Sequence, residues 1–433
     1  MSKTLSSTIP GLGQNPVYFD GGFGTQLQQR GLPQGTPPPM WNIQNPAAVK
    51  AVHLAYLEAG ADIVTSNTFI ANRWFTGDQA AATSAAGVAI ARETARETDR
   101  GVVALDIGPS GRMLEPFGDL PFEDAIAGYT ETIAAGAAEG PDFILLETFT
   151  DAYEAKAAVL AAKACTDLPV LVSFSFSDGV RLMTGLDARG VAAMFESLGV
   201  SAVGANCGMG PDGMVHVVRE LVRSTRLPVF ANPNNGRPKI ENGRAVYSLT
   251  PDGYAALAAS LFDEGAWMVG GCCGTGPEHI CALRSLSKDK RLTPRPASVS
   301  AVITSGARTY GLDSISNISD ALNASSNPRF RALISAWDGG VDSAEEIAEE
   351  AVELAFDALD EGADALRVSL DGAADPDFYR ILTPKIQTTI HIPLIFGDSD
   401  QAALTMARRV YNGHNAEDEA PVPLPVGSGG SAR

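Results

Sequence analysis

A chain of 433 residues, 45% of them hydrophobic, can bury a large core and has room for an eight-fold α/β barrel of about 250 residues with a second domain beside it. Its 32 Lys and Arg stand against 51 Asp and Glu, a net charge of −19 that repels phosphate backbones and anionic membranes and excludes a nucleic-acid partner on electrostatic grounds. No apolar run approaches the roughly 18 residues of a membrane span, so the chain reads as soluble and globular.

The first ten residues carry no charged-then-apolar leader and read as an irregular N-terminus. From residue 17 to about 285, short apolar runs alternate with Ala-rich amphipathic stretches, the pattern of repeated βα units around a parallel sheet. Strands are predicted at 17–20, 62–66, 102–107, 143–147, 169–174, 202–207, 228–232 and 267–271. Eight such units closing on themselves give a TIM barrel over residues 1–290, whose chemistry belongs at the C-terminal strand ends. The residues at those ends are Asp20, Asn67, Asp106, Glu147, Cys207, Asn234, Cys272 and Cys273. Residues 291–312 are rich in Lys, Arg, Pro and Ser without periodicity and read as a linker. Residues 313–413 read as a smaller α/β region, with a helix at 344–362 and strands at 365–370 and 392–396. Residues 414–433 are acidic, then Pro-, Gly- and Ser-rich, the composition of a disordered tail.

The cysteines carry the chemistry. Cys207 follows Gly204-Ala205-Asn206, and Cys272 and Cys273 sit within Gly270-Gly271-Cys272-Cys273-Gly274, so three thiols come to one rim only if the sheet closes. Adjacent Cα atoms about 3.8 Å apart are too close for an unstrained disulfide between Cys272 and Cys273. Five cysteines and no leader point to a reducing cytoplasm, where grouped thiols signal metal binding or catalysis; buried apolar fillers are the alternative. Three thiolates are the ligand set of a zinc ion with one position open for a substrate sulfur. Cys165 and Cys281 fall in helical patterns and read as core fillers.

The stretches Asp20-Gly21-Gly22-Phe23-Gly24-Thr25, Ser66-Asn67-Thr68-Phe69, Asp106-Ile107-Gly108-Pro109, Leu146-Glu147-Thr148-Phe149, Gly204 to Gly208, Pro233-Asn234-Asn235-Gly236 and Gly270 to Thr275 together resemble the zinc-dependent homocysteine S-methyltransferase family. Over residues 106–111, 147–163 and 233–247 the chain is most similar to the homocysteine domain of cobalamin-dependent methionine synthase. The resemblance implies Cys207, Cys272 and Cys273 as zinc ligands and Asn234 beside the metal in the substrate-binding site, a candidate for the open position when substrate is absent. It implies Asp20 and Glu147 as holders of the homocysteine amino group, and the backbone N–H groups of Gly21, Gly22 and Phe23 as receivers of its carboxylate. Each has a simpler reading: a strand-end carboxylate also caps helices or pairs with cations, and Pro-Asn-Asn-Gly is also a turn. His279 reads as a first-turn helix residue, with a place behind the metal ligands as its alternative.

On this reading the zinc-activated homocysteine thiolate attacks a methyl group to form methionine, and affinity for homocysteine weakens below neutrality as protons compete for thiolate. Betaine as donor requires an aromatic cage for its quaternary ammonium, yet the resembled cage positions hold Ile70 and Thr148, leaving Trp41 and Trp74. That favours methylcobalamin delivered by a partner, with betaine or S-methylmethionine as alternatives and a non-catalytic zinc- or homocysteine-binding subunit as a reading of another class. The C-terminal region resembles half of a pterin-binding barrel and keeps Asp398-Ser399 at that family's later Asp-Ser position, but Arg367-Val368-Ser369 stands where the family has Asp-x-Asn, which argues against folate there. Its exposed strand edges imply docking on the first barrel, on a second copy of the chain, or on a corrinoid- or folate-binding protein.

Overall fold

Val17–Tyr18 (β1), Ile63–Thr65 (β2), Val102–Ile107 (β3), Phe143–Phe149 (β4), Val170–Phe174 (β5), Ala202–Asn206 (β6), Val229–Asn232 (β7) and Met268–Val269 (β8) form one parallel sheet in the computed structural model, which describes residues 4–177, 179–241, 244–295, 299–337 and 339–415. Neighbours pair in the order β1-β8-β7-β6-β5-β4-β3-β2, and a parallel bridge between Phe19 and Ile63 joins the ends. The predicted TIM barrel is therefore the observed fold, with a smaller α/β unit following it.

Side chains alternate across each strand, so residues two apart share a face. Leu105, Ile107, Ile144, Leu146, Val172 and Val203 turn outward and pack under helices that include Ala80–Thr98, Phe122–Ala137 and Ala152–Cys165. Phe19, Ile63, Ala104, Phe143, Leu145, Leu171, Ala202, Phe230 and Met268 fill the barrel interior. Two residues further along their strands the same inward face carries Asp106, Glu147, Ser173 and Asn232, and Asn206 lies four beyond Ala202. The barrel axis thus changes from apolar to polar at the C-terminal strand ends.

At the opposite end the structure corrects the expectation of an irregular N-terminus. Leu5–Thr8 is a helical turn closed by a reciprocal cap, Ser7 N–H donating to Thr4 Oγ1 at 3.2 Å and Thr4 N–H to Ser7 Oγ at 3.0 Å. Leu5 and Ile9 are buried in the interior apolar cluster, because a barrel end lined by Val17 and Met268 needs an apolar cover. Cys281 is also corrected: it is exposed, since the helix Pro277–Ser287 turns His279, Ile280 and Leu283 inward and leaves residue 281 on the other side.

The chain divides into two units at Ser300/Ala301. The span 291–312 holds more order than its composition suggests. Trp267 Nε1 donates to the Thr293 carbonyl at 3.0 Å and Arg295 stacks on the Trp267 ring, while Val302–Thr304 (β9) and Thr309–Gly311 (β10) form an antiparallel hairpin. The second unit's parallel sheet runs Ile318–Asn323 (β11), Ala365–Ser369 (β12) and Leu394–Phe396 (β13), in that order. The helix read at 344–362 is observed as Val341–Asp360; Tyr379–Thr389 was not legible, its pattern being interrupted by Pro384. Thr304 and His414 bridge in antiparallel fashion, so the start of the segment read as a tail is ordered; residues 416–433 lie outside the described residues. Among the described residues no helix is long and apolar enough to cross a membrane.

Candidate metal centre and its carboxylates

Closure of the barrel brings the ends of β6 and β8 together, and the sulfurs of Cys207, Cys272 and Cys273 lie within 4.8 Å of one another. None of the five cysteines forms a disulfide. Two backbone features hold the set. Cys207 has φ of +57°, a left-handed conformation costly for a non-glycine residue, fixed by its N–H donating to the Asn232 carbonyl and its carbonyl accepting from Met209 N–H. The Cys272-Cys273 loop is tied to both neighbouring strands: Gly271 N–H donates to the Asp20 carbonyl at 2.9 Å, and Cys272 N–H to the Pro233 carbonyl at 2.9 Å. Gly22 and Gly271 cannot be larger, since an added Cβ would lie 2.6 Å from the Cys272 carbonyl oxygen and 2.3 Å from Thr275 Oγ1, respectively.

Three thiols this close cannot all ionise alone. S–H donation from Cys272 and Cys273 holds the Cys207 thiol down to about 3, whereas Cys273 is pushed up to about 11, chiefly by its bond to Cys207. Cys272 lies well above the ordinary thiol range for the same reason and through burial. The set thus keeps one negative charge and two protons until a cation replaces those protons. A divalent, sulfur-preferring metal fits this donor set, and Cys207, Cys272 and Cys273 are the residues that would hold it.

Asn234 Oδ1 accepts the Cys273 N–H at 3.1 Å and the side chain also bonds Cys207, so Asn234 contacts the thiol set while its carbonyl closes the turn to Gly236. Asn206 was not picked out from sequence as a site residue, yet it joins the two halves of the site. Its Nδ2 donates to Thr148 Oγ1 at 2.6 Å and Glu147 Oε2 at 3.3 Å and lies 4.0 Å from Cys272 Sγ; its Oδ1 accepts from Thr148 N–H and Ser173 Oγ. The signal was present, since Asn206 shares the inward face of β6 with Ala202. Tyr247 was missed as well. Its hydroxyl bonds Cys273, and burial followed by the negative charge of the thiol set raises its pKa. It follows a hairpin of Lys239–Glu241 and Arg244–Val246 that no periodicity announces.

Asp20 is 2% exposed and held by Thr65, whose N–H donates to Oδ2 at 2.7 Å. Burial pushes its carboxyl up to about 7. Glu147, partly buried at a bulge where Thr148 takes φ of +66°, is pushed to about 8 by burial, then by Asp20 and Cys207. Asp106, on the inward face of β3, is raised well above the carboxylate range by burial, Glu147 and Asp20. Among the described residues no cationic side chain weighs on any of these three acids. The amide of Gly22 is spent on Thr275, at 3.0 Å to the carbonyl and 3.1 Å to Oγ1. The amides of Gly21 and Phe23 donate to nothing among the described residues.

Other rim residues are structural. Asn67 locks against Asn42, each side-chain amide donating to the other residue at 2.8 Å. His279 accepts the Gly276 N–H at 3.0 Å through Nδ1, the first-turn role read from sequence. Trp41 packs with Leu27, Val49 and Val52, and Trp74 meets Tyr129 edge-on at 5.6 Å.

Residues 17–287 match the family model of homocysteine S-methyltransferase. The closed barrel is thus the domain that this family model describes, and the chain belongs to the homocysteine S-methyltransferase family. It is 32% identical over 425 residues to a methionine synthase of Mycobacterium tuberculosis, covering 91% of this chain and 34% of that protein, and 30% identical over 450 residues to a methionine synthase of Mycobacterium leprae, covering 94% and 36%. The chain therefore spans about a third of the length of these relatives. Among solved structures it is similar to the homocysteine methyltransferase MmuM from Escherichia coli: the oxidised form superposes with a TM-score of 0.55 at 24% identity, covering 63% of this chain and 97% of that one, and the metallated form with 0.54 at equal coverage and identity. That likeness confirms the fold.

Proposed function

We propose that the chain makes methionine by methylating homocysteine, with Cys207, Cys272 and Cys273 holding a zinc ion. The observation that carries this is the convergence of three sulfurs beside buried acids that lack a cationic partner, a centre shaped for a cation and an ammonium together. Zinc on three thiolates would supply a positive centre on which a substrate thiol is ionised at neutral pH while remaining nucleophilic. Asp20 and Glu147 hold the substrate ammonium, and the amides of Gly21 and Phe23 receive its carboxylate; Gly22, its N–H engaged by Thr275, serves by letting the backbone approach. Asn206 orients Glu147 and borders Cys272; Asn234 and Tyr247 donate to the thiolates. Fixing the amino acid at both ends aims its sulfur at the methyl carbon for in-line displacement.

The donor is methylcobalamin on a corrinoid protein. The methionine synthase relatives extend well beyond the matched span, and both tryptophans available for a betaine cage are committed to packing. In the second unit Asp398 is spent on Tyr379, Asp371 N–H and Ser369, which argues against a pterin there and for a role in docking a partner or a second copy. Five thiols outside any disulfide fit the cytoplasm. Zinc-loaded protein given homocysteine with methylcobalamin, betaine or S-methylmethionine in turn tests the reading. Methionine is expected with methylcobalamin; formation only with another donor overturns the donor assignment, and silence with all three, in a protein that binds homocysteine, favours a binding subunit.

A further inference from the structure

Asp106 is 5% exposed, and its Oδ1 is buried with no hydrogen-bond partner among the described residues. Such an atom costs about 1–3 kcal/mol unless something completes it. Its backbone is fully engaged: Asp106 N–H donates to Ser66 Oγ at 3.2 Å, and its carbonyl accepts from Thr68 Oγ1 at 2.6 Å. The strand is thereby fixed and the side chain presented to the barrel axis, on the inward face two residues beyond Ala104. The charges that bear on it are those of Glu147 and Asp20, with no lysine or arginine among them. A polar layer that leaves one acceptor open among acids calls for a donor carrying positive charge.

Resting on the homocysteine reading above, we propose that Asp106 Oδ1 accepts the third N–H of the substrate ammonium, so that Asp20, Glu147 and Asp106 take one hydrogen each. An α-ammonium has three donors, and three acceptors on β-strand ends fix its direction as well as its position. The site thereby selects a thiol whose primary ammonium sits on the carbon two positions from its thiol-bearing carbon over one that lacks it: a desamino analogue leaves Oδ1 as empty as before and gains nothing from Asp106. Asp106 is a positioning residue whose contact is with the amino end of the substrate, not with the reacting sulfur.

Isothermal titration of zinc-loaded protein with homocysteine and with 4-mercaptobutanoate, its desamino analogue, tests this. Asp106→Ala is expected to weaken homocysteine binding about 10- to 100-fold and to leave the analogue within about twofold, with zinc content unchanged. Asp106→Asn, which keeps a side-chain oxygen acceptor, is expected to recover most of the loss. Should the alanine variant not fold, Asp106→Leu carries the same expectation. Unchanged homocysteine affinity in a wild type that binds it, or an equal loss for both ligands, overturns the role of Asp106 alone. A zinc-loaded wild type that does not bind homocysteine overturns the functional reading and this inference with it.

Discussion

The two units place acids at the C-terminal ends of parallel strands and treat them in opposite ways. In the barrel, among the described residues, Asp106 keeps an oxygen without a partner and Asp20 leans on Thr65 alone. In the second unit Asp398, equally buried, accepts from the Tyr379 hydroxyl, from Asp371 N–H at 2.7 Å and from Ser369 Oγ at 3.3 Å. A satisfied acid holds its own fold together; the open Asp106 oxygen, with no cationic side chain to balance it among the described residues, is the acceptor proposed above for a ligand. On the proposed reading, the difference separates a ligand-binding acid from a structural one without reference to fold.

The largest effect that would break this contrast is at the sulfurs. Cys207→Ala is expected to lower zinc content at least tenfold and methionine formation at least 1000-fold, since two thiolates cannot reproduce the three-sulfur site; elemental analysis and a product assay check both. A pH titration of stability follows. Asp20 is raised from its ordinary value to about 7, so the native state without substrate holds a proton that the unfolded chain releases near pH 4. Its contribution is complete below pH 4 and is lost as pH rises through 7, costing about 2–4 kcal/mol between pH 4 and 8. Urea unfolding of metal-free protein should show this fall, to which the raised carboxyls of Glu147 and Asp106 add, and Asp20→Asn should make it shallower without abolishing it.

Asn206→Ala removes the acceptor of Thr148 N–H and Ser173 Oγ and the donor to Glu147, and is expected to cost about 2–3 kcal/mol of stability together with about tenfold in homocysteine affinity. The smallest effect sharpens the comparison from the other side. Asp398→Asn should lower stability by about 1–3 kcal/mol in urea unfolding and leave homocysteine affinity within twofold, where removal of Asp106 costs affinity and no stability.

The fold was legible because strand and helix periods alternate cleanly over 17–285, and because glycines flank the cysteines where backbones must approach closely, as at Gly271. The thiol set was legible for a topological reason: only closure brings residue 207 to residues 272 and 273. Hydrogen-bond partners were not. That Gly22 gives its amide to Thr275, that Asn206 bridges Glu147 and Ser173, and that Tyr247 reaches Cys273 depend on contacts between strands and loops distant in sequence, which no local pattern encodes. The N-terminal turn was misread because its two apolar anchors, Leu5 and Ile9, are too few to show a period, although the barrel end requires them.

X-ray absorption at the zinc edge, with and without homocysteine, measures the central claim directly. The account predicts three sulfur neighbours in the wild type, rising to four when homocysteine is added. A zinc-loaded protein whose sulfur count does not change on saturation with homocysteine would contradict it.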